Sequence, residues 1–190
     1  MVSDKPCVPE CDEDPLDTFW ALGWRSVDLE SPVADKITAA ALPKEVRLLL
    51  DHRRSMTATL AGYWQGDITA RVLVSDHTAQ PDRLQRFTTL VRASDALPVA
   101  LAALSVHLPA IGPDVGGRLM TTSIPFGRLL LDAGIAFTAE PLGFFAMTAD
   151  RRLAALGGIT EGKVLFGRIV RLIAANHVSL GGAVEILPRY

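Results

Sequence analysis

Leu84-Gln85-Arg86-Phe87-Thr88-Thr89-Leu90-Val91-Arg92-Ala93-Ser94-Asp95-Ala96-Leu97-Pro98-Val99-Ala100-Leu101 is the stretch on which the fold turns. Two apolar runs, at about 84–93 and 98–108, flank the short polar link Ala93-Ser94-Asp95-Ala96, the pattern of an antiparallel hairpin. Upstream, Ile68, Ala70, Val72 and Val74 alternate with Thr69, Arg71, Leu73 and Ser75, which predicts a further strand. Downstream, Phe137 to Thr148 reads as a strand in which Pro141 marks an edge or a bulge. Two last strands, at about 163–174 and 179–187, are joined through Ala175-Asn176-His177-Val178. Helical spacing covers Pro43 to Tyr63, with Ser55 as the cap of a second helix. Another helix starts at Ser123 or Ile124 and ends at Gly134, and Asp150 to Leu156 reads as a helical turn. Residues 112–122, with three glycines and Pro113, fit no single pattern. Strands joined by short turns and flanked by helices imply a single α+β domain with a mainly antiparallel sheet covered by helices.

The chain has 190 residues, 49% hydrophobic and 21% charged, enough apolar material for one sizeable core. Its formal charge of −2 argues against a nucleic-acid partner, whose binders carry a marked basic excess. Acids crowd the beginning: Asp4, Glu10, Asp12, Glu13, Asp14 and Asp17 face only Lys5 among residues 1–18, which leaves the rest mildly basic. Residues 1–30 therefore read as an acidic extension, with the cluster Phe19-Trp20-Ala21-Leu22-Gly23-Trp24 docking onto a body at 31–190. Cys7 and Cys11 lie in that extension without the two further ligands a structural zinc needs. The start is acidic where a signal peptide is basic, and the most apolar run, Leu97 to Ile111, is shorter than the roughly 20 residues of a spanning helix. These features predict a cytoplasmic protein without membrane contact, monomeric or a small homo-oligomer.

No nucleophile elbow, phosphate-binding loop, dinucleotide fingerprint or zinc-protease motif is present. The four histidines are dispersed, and neither His107 nor His177 has a metal partner at useful spacing, so no metal and no cofactor are expected. The chemistry-bearing residues are instead charges inside apolar strands. Glu185 lies in Gly182-Ala183-Val184-Glu185-Ile186-Leu187-Pro188, where a carboxylate must be paired, hydrogen-bonded or protonated. It is either a neutral acid raised by desolvation or the partner of Arg168 or Arg171 on the preceding strand. Arg86 shares a strand face with Leu84, Thr88 and Leu90. It either points inward, where its fork can grip a carboxylate, or faces solvent.

Four segments in order resemble the chorismate pyruvate-lyase family. They are Leu48 to Ser55-Met56-Thr57, then Leu84-Gln85-Arg86-Phe87, then Ile124-Pro125-Phe126-Gly127-Arg128-Leu129-Leu130. The fourth runs from Gly167-Arg168 through Arg171-Leu172 to Val184-Glu185-Ile186-Leu187-Pro188. The resemblance covers about residues 45–190. It implies a six-stranded antiparallel sheet whose helices enclose a pocket, a fold shared with effector-binding domains of some bacterial transcription regulators. It also implies a cofactor-independent lyase that expels pyruvate from chorismate to leave a hydroxybenzoate, most simply 4-hydroxybenzoate.

By the resemblance, Met56, Arg86, Phe126 and Glu185 are pocket residues. Arg86 would hold a substrate carboxylate, a protonated Glu185 would assist the breaking ether, and Arg128 could serve the second carboxylate or face water. Phe126 stands where the family has Leu, and Leu104-Ser105 where some members have Gly-Arg. These departures leave two alternatives: an enzyme acting on another small carboxylate-bearing intermediate, and a non-catalytic module that binds a small acid.

Overall fold

The structure is a computed structural model, and it describes residues 34–78 and 81–190. One antiparallel sheet organises them. Its strands are β1 (Ala34–Ile37), β2 (Ile68–Asp76), β3 (Arg83–Arg92), β4 (Pro98–His107), β5 (Phe137–Thr148), β6 (Val164–Ala174) and β7 (Ser179–Leu187), in the spatial order β1-β5-β6-β7-β4-β3-β2. The helices are α1 (Lys44–Leu50), α2 (Met56–Trp64), α3 (Leu108–Thr121), α4 (Phe126–Asp132) and α5 (Arg151–Gly157). Among the described residues, no helix is long and apolar enough to cross a membrane.

The expected α+β architecture is present, with seven strands rather than six. The added one, β1, runs only from Ala34 to Ile37 along the outer side of β5, pairing Ala34 with Met147 and Ile37 with Phe144. Both hairpins form where the sequence places them. In the β3–β4 link the Ala96 N–H donates to the Arg92 carbonyl, and Arg92 pairs with Asp95. In the β6–β7 link His177 takes a left-handed backbone, φ 65°. Pro141 has no N–H to give the β5–β6 ladder, and the register shifts there, between Pro141 and Gly143.

The stretch 112–122, which fits no single sequence pattern, lies largely in a helix that begins just after β4. β4 ends at His107, and the chain turns helical at Leu108. α3 kinks at Gly112, whose φ of 76° no other residue tolerates cheaply, and Pro113 then opens the second helical segment, where its missing N–H costs nothing. Pro125, rather than Ser123 or Ile124, occupies the N-cap of α4. Ser55 caps α2 as expected, accepting from the Ala58 N–H at 3.5 Å. The acidic extension and the Phe19–Trp24 cluster lie outside the described residues.

Strand alternation sends side chains to two faces. On one, Phe87, Leu101, Phe145, Val184 and Ile186 pack with Leu153 of α5. The other carries two separate clusters. Leu90, Ala100 and Leu187 pack with Val46, Leu49 and Leu60 of α1 and α2, while Leu84, Leu172 and Ala183 pack with Leu119 of α3 and with Phe126 and Leu129 of α4. A cavity lies where these two clusters meet.

Candidate anion-binding cavity

The cavity lies between the sheet and the starts of two helices. Its floor is the middle of β3, β4 and β7, and its walls come from the starts of α2 and α4 and from β5 and β6. Met56, Arg86, Phe126 and Glu185 all line it, together with apolar residues such as Leu90, Ala139 and Leu172. The structure thus brings together four of the five residues singled out from sequence. Arg128 is the exception: its side chain is 63% exposed and pairs with Asp132 at 2.7 Å on the outside of α4.

Arg86 points inward and is 1% exposed. Its guanidinium is held by main-chain carbonyls at the end of α3: Nη1 donates to Leu119 O at 3.0 Å and Nη2 to Thr122 O at 2.7 Å, with Ile124 O at 3.5 Å from Nη1. A helix C-terminus is a favourable place for a cation, because its unsatisfied carbonyls carry partial negative charge. Nε has no hydrogen-bond partner, and no ion pair among the described residues involves Arg86. Burial holds the group below its ordinary pKa.

Glu185 is 8% exposed and is not alone. Of the two partners open to it, Arg168 is the one: its Nε donates to Glu185 Oε2 at 2.6 Å, and the two residues are direct cross-strand neighbours on β6 and β7. Arg171, its side chain on the outside, pairs with Glu140 instead, at 2.7 Å. A guanidinium partner calls for the carboxylate form. Of the alternatives the sequence left open for Glu185, the structure contains the ion pair with Arg168. Register relates the two ends of the site. Arg86 pairs with Leu104 and Leu104 with Ala183, whereas Thr88 pairs with Ala102 and Ala102 with Glu185. Arg86 and Glu185 are therefore two strands apart, about 10 Å across the sheet, and two residues out of step along it.

Two groups escaped the sequence reading. Arg168, weighed there only as a partner, is completely buried, and its Nη1 also donates to Leu50 O and His52 O, each at 2.8 Å. His52, in the link between α1 and α2, sits with Nδ1 3.3 Å from the same Nη1. Burial, and then the nearby Arg168 charge, lower its pKa to about 4. The segment Asp51-His52-Arg53-Arg54 shows no periodicity, so only its position just before the Ser55 cap could have drawn attention to it. His107 and His177, which did draw attention, are exposed.

An antiparallel sheet with helices enclosing a polar-ended cavity is a fold this chain shares with an effector domain of known structure. No protein-family model and no curated protein matches the chain. Among solved structures it is similar to the effector domain of PhnF from Mycobacterium smegmatis, at 17% identity and a TM-score of 0.54, over 70% of this chain and 88% of that one. PhnF itself matches at 18% identity and 0.52, over 70% of this chain and 63% of that one, so the likeness spans under two thirds of the whole PhnF chain. The ligand-binding domain of a Bordetella bronchiseptica protein assigned to the GntR family of transcriptional regulators matches at 14% and 0.48, over 64% and 83%. At such identities the likeness is one of fold.

Proposed function

We propose that this domain binds a small anionic ring compound, with the ligand carboxylate held at Arg86 and the ring between the apolar walls, as a ligand-binding module. One observation carries the reading. Arg86 is a buried guanidinium that lines an apolar cavity, is held by carbonyl oxygens alone, and keeps an unsatisfied Nε. An interior cation without a counter-ion is costly, and a carboxylate occupant relieves that cost. The first turn of α2 adds donors. Its Ala58 and Thr59 N–H groups are used by Ser55, which leaves those of Met56 and Thr57 at the cavity wall.

The test is calorimetric titration with benzoate and 4-hydroxybenzoate. Binding by the wild type and its loss in Arg86→Gln are expected, and binding that is absent, or indifferent to the substitution, would overturn the reading. A second reading, elimination of pyruvate from chorismate, is favoured by the meeting of Met56, Arg86, Phe126 and Glu185 in one cavity. Pyruvate release from chorismate separates the two. The binding reading expects none, because a Glu185 paired with Arg168 has no proton to give a departing ether oxygen.

A further inference from the structure

Arg168 does not line the cavity, yet it determines what Glu185 presents to it. The side chain is completely buried and bridges two parts of the fold. Through Nε it grips Glu185 Oε2 on the neighbouring strand, and through Nη1 the carbonyls of Leu50 and His52, where α1 ends. With three acceptors fixed by the backbone and the sheet register, the guanidinium has one orientation, and so has the carboxylate it holds.

A carboxylate accepts hydrogen bonds and cannot donate them, whereas a neutral carboxyl does both. The state of Glu185 thus sets the kind of group the cavity tolerates beside it. Arg86 is two strands away on the same cavity floor, so a ring anchored there by its acid presents its far substituent toward Glu185.

We infer that Arg168 is a positioning residue that fixes Glu185 as a charged acceptor, so that the cavity selects a ring acid bearing a hydroxyl or N–H donor at its far end and rejects one bearing an ether oxygen there. This rests on the proposed binding of a small acid at Arg86. An ether oxygen opposite the carboxylate sets lone pairs against lone pairs and leaves a buried acceptor unsatisfied. A hydroxyl instead makes a short charge-assisted bond.

The experiment compares benzoate, 4-hydroxybenzoate, 4-methoxybenzoate and 4-ethylbenzoate, the last matching the methoxy compound in length without its oxygen. In the wild type, 4-hydroxybenzoate is expected to bind at least about tenfold more tightly than 4-methoxybenzoate, and the methoxy acid no better than the ethyl acid. In Arg168→Gln, confirmed as folded by its near-ultraviolet circular dichroism, Glu185 is free to take a proton and donate. The methoxy acid then gains on the ethyl acid and the hydroxyl preference shrinks. Arg168→Lys, which keeps a cation beside Glu185, restores much of the preference. A purely structural Arg168 would weaken all four acids together and leave their ratios unmoved.

Equal binding of the hydroxy and methoxy acids by the wild type overturns the inference, and needs no variant to fold. If benzoate binds in an Arg86-dependent way while the ratios stay flat, only the role of Arg168 falls. If no acid binds the wild type, the proposed function falls and takes this inference with it.

Discussion

Gly127, in the first turn of α4, lies directly against Ser55, the N-cap of α2, so closely that a Cβ at 127 would overlap Ser55 Oγ. The starts of two helices therefore meet at one point of the cavity wall, with Met56 on one and Phe126 on the other. Gly127→Ala is expected to displace the capping hydroxyl and to cost about 1–3 kcal/mol in a urea titration. Adding Ser55→Gly removes the obstructing atom for a few tenths of a kcal/mol of capping energy. The double variant should therefore be more stable than Gly127→Ala alone.

Breaking the Arg168–Glu185 pair from one side strands a buried charge. Glu185→Ala should lower unfolding free energy by about 3–5 kcal/mol, whereas Arg168→Met with Glu185→Leu, which removes both charges though it also takes a donor from the Leu50 and His52 carbonyls, should cost less. Chemical denaturation of the two variants beside the wild type checks the order. A double variant as unstable as Glu185→Ala would contradict it.

Arg86→Gln removes the group that ties together the Leu119, Thr122 and Ile124 carbonyls. Two effects are expected together: a stability loss of about 1–3 kcal/mol from buried acceptors left short of donors, and a fall of at least about tenfold in affinity for 4-hydroxybenzoate. Amide exchange should quicken at the end of α3 and in the link to α4 before it does so in β7.

His52 gives the stability a pH dependence of definite sign. In the unfolded chain the ring takes a proton near its ordinary 6.5, but in the fold not until about 4, because it is half-buried beside Arg168. Between those values the unfolded state binds the extra proton, so stability falls as pH drops from 6.5 toward 4 and is fully present above that window. Urea midpoints measured across pH 4–7.5 should show this slope reduced in His52→Asn.

Most of the strands and the Ser55 cap were legible because their causes are local. Alternation marks β2, a short polar link marks the β3–β4 turn, and Ser55 and Asp150 cap the helices that follow them. β1 was not legible, since four residues with no apolar period form a strand only because β5 offers an edge. The start of α3 at Leu108 was hidden by an apolar run that served the strand reading equally well. At the site, Glu185 announced itself by its apolar neighbours, but the choice between Arg168 and Arg171 depends on which faces inward across the register. The inward turn of Arg86 depends on the carbonyls of Leu119 and Thr122, more than thirty residues further on, which no local pattern reveals.

Among the described residues, two buried arginines are set against a single buried glutamate, and this has a practical consequence. One guanidinium is answered by a carboxylate and the other only by carbonyl dipoles, so the empty fold gives up part of the stability its packing supplies. On the proposed binding, an anion would return it by mass action, about 2.7 kcal/mol when the ligand is at a hundred times its dissociation constant. The melting temperature of a freshly purified sample is then a gauge of cargo. If it drops after exhaustive dialysis and recovers on adding an acid, the protein has left the cell already loaded.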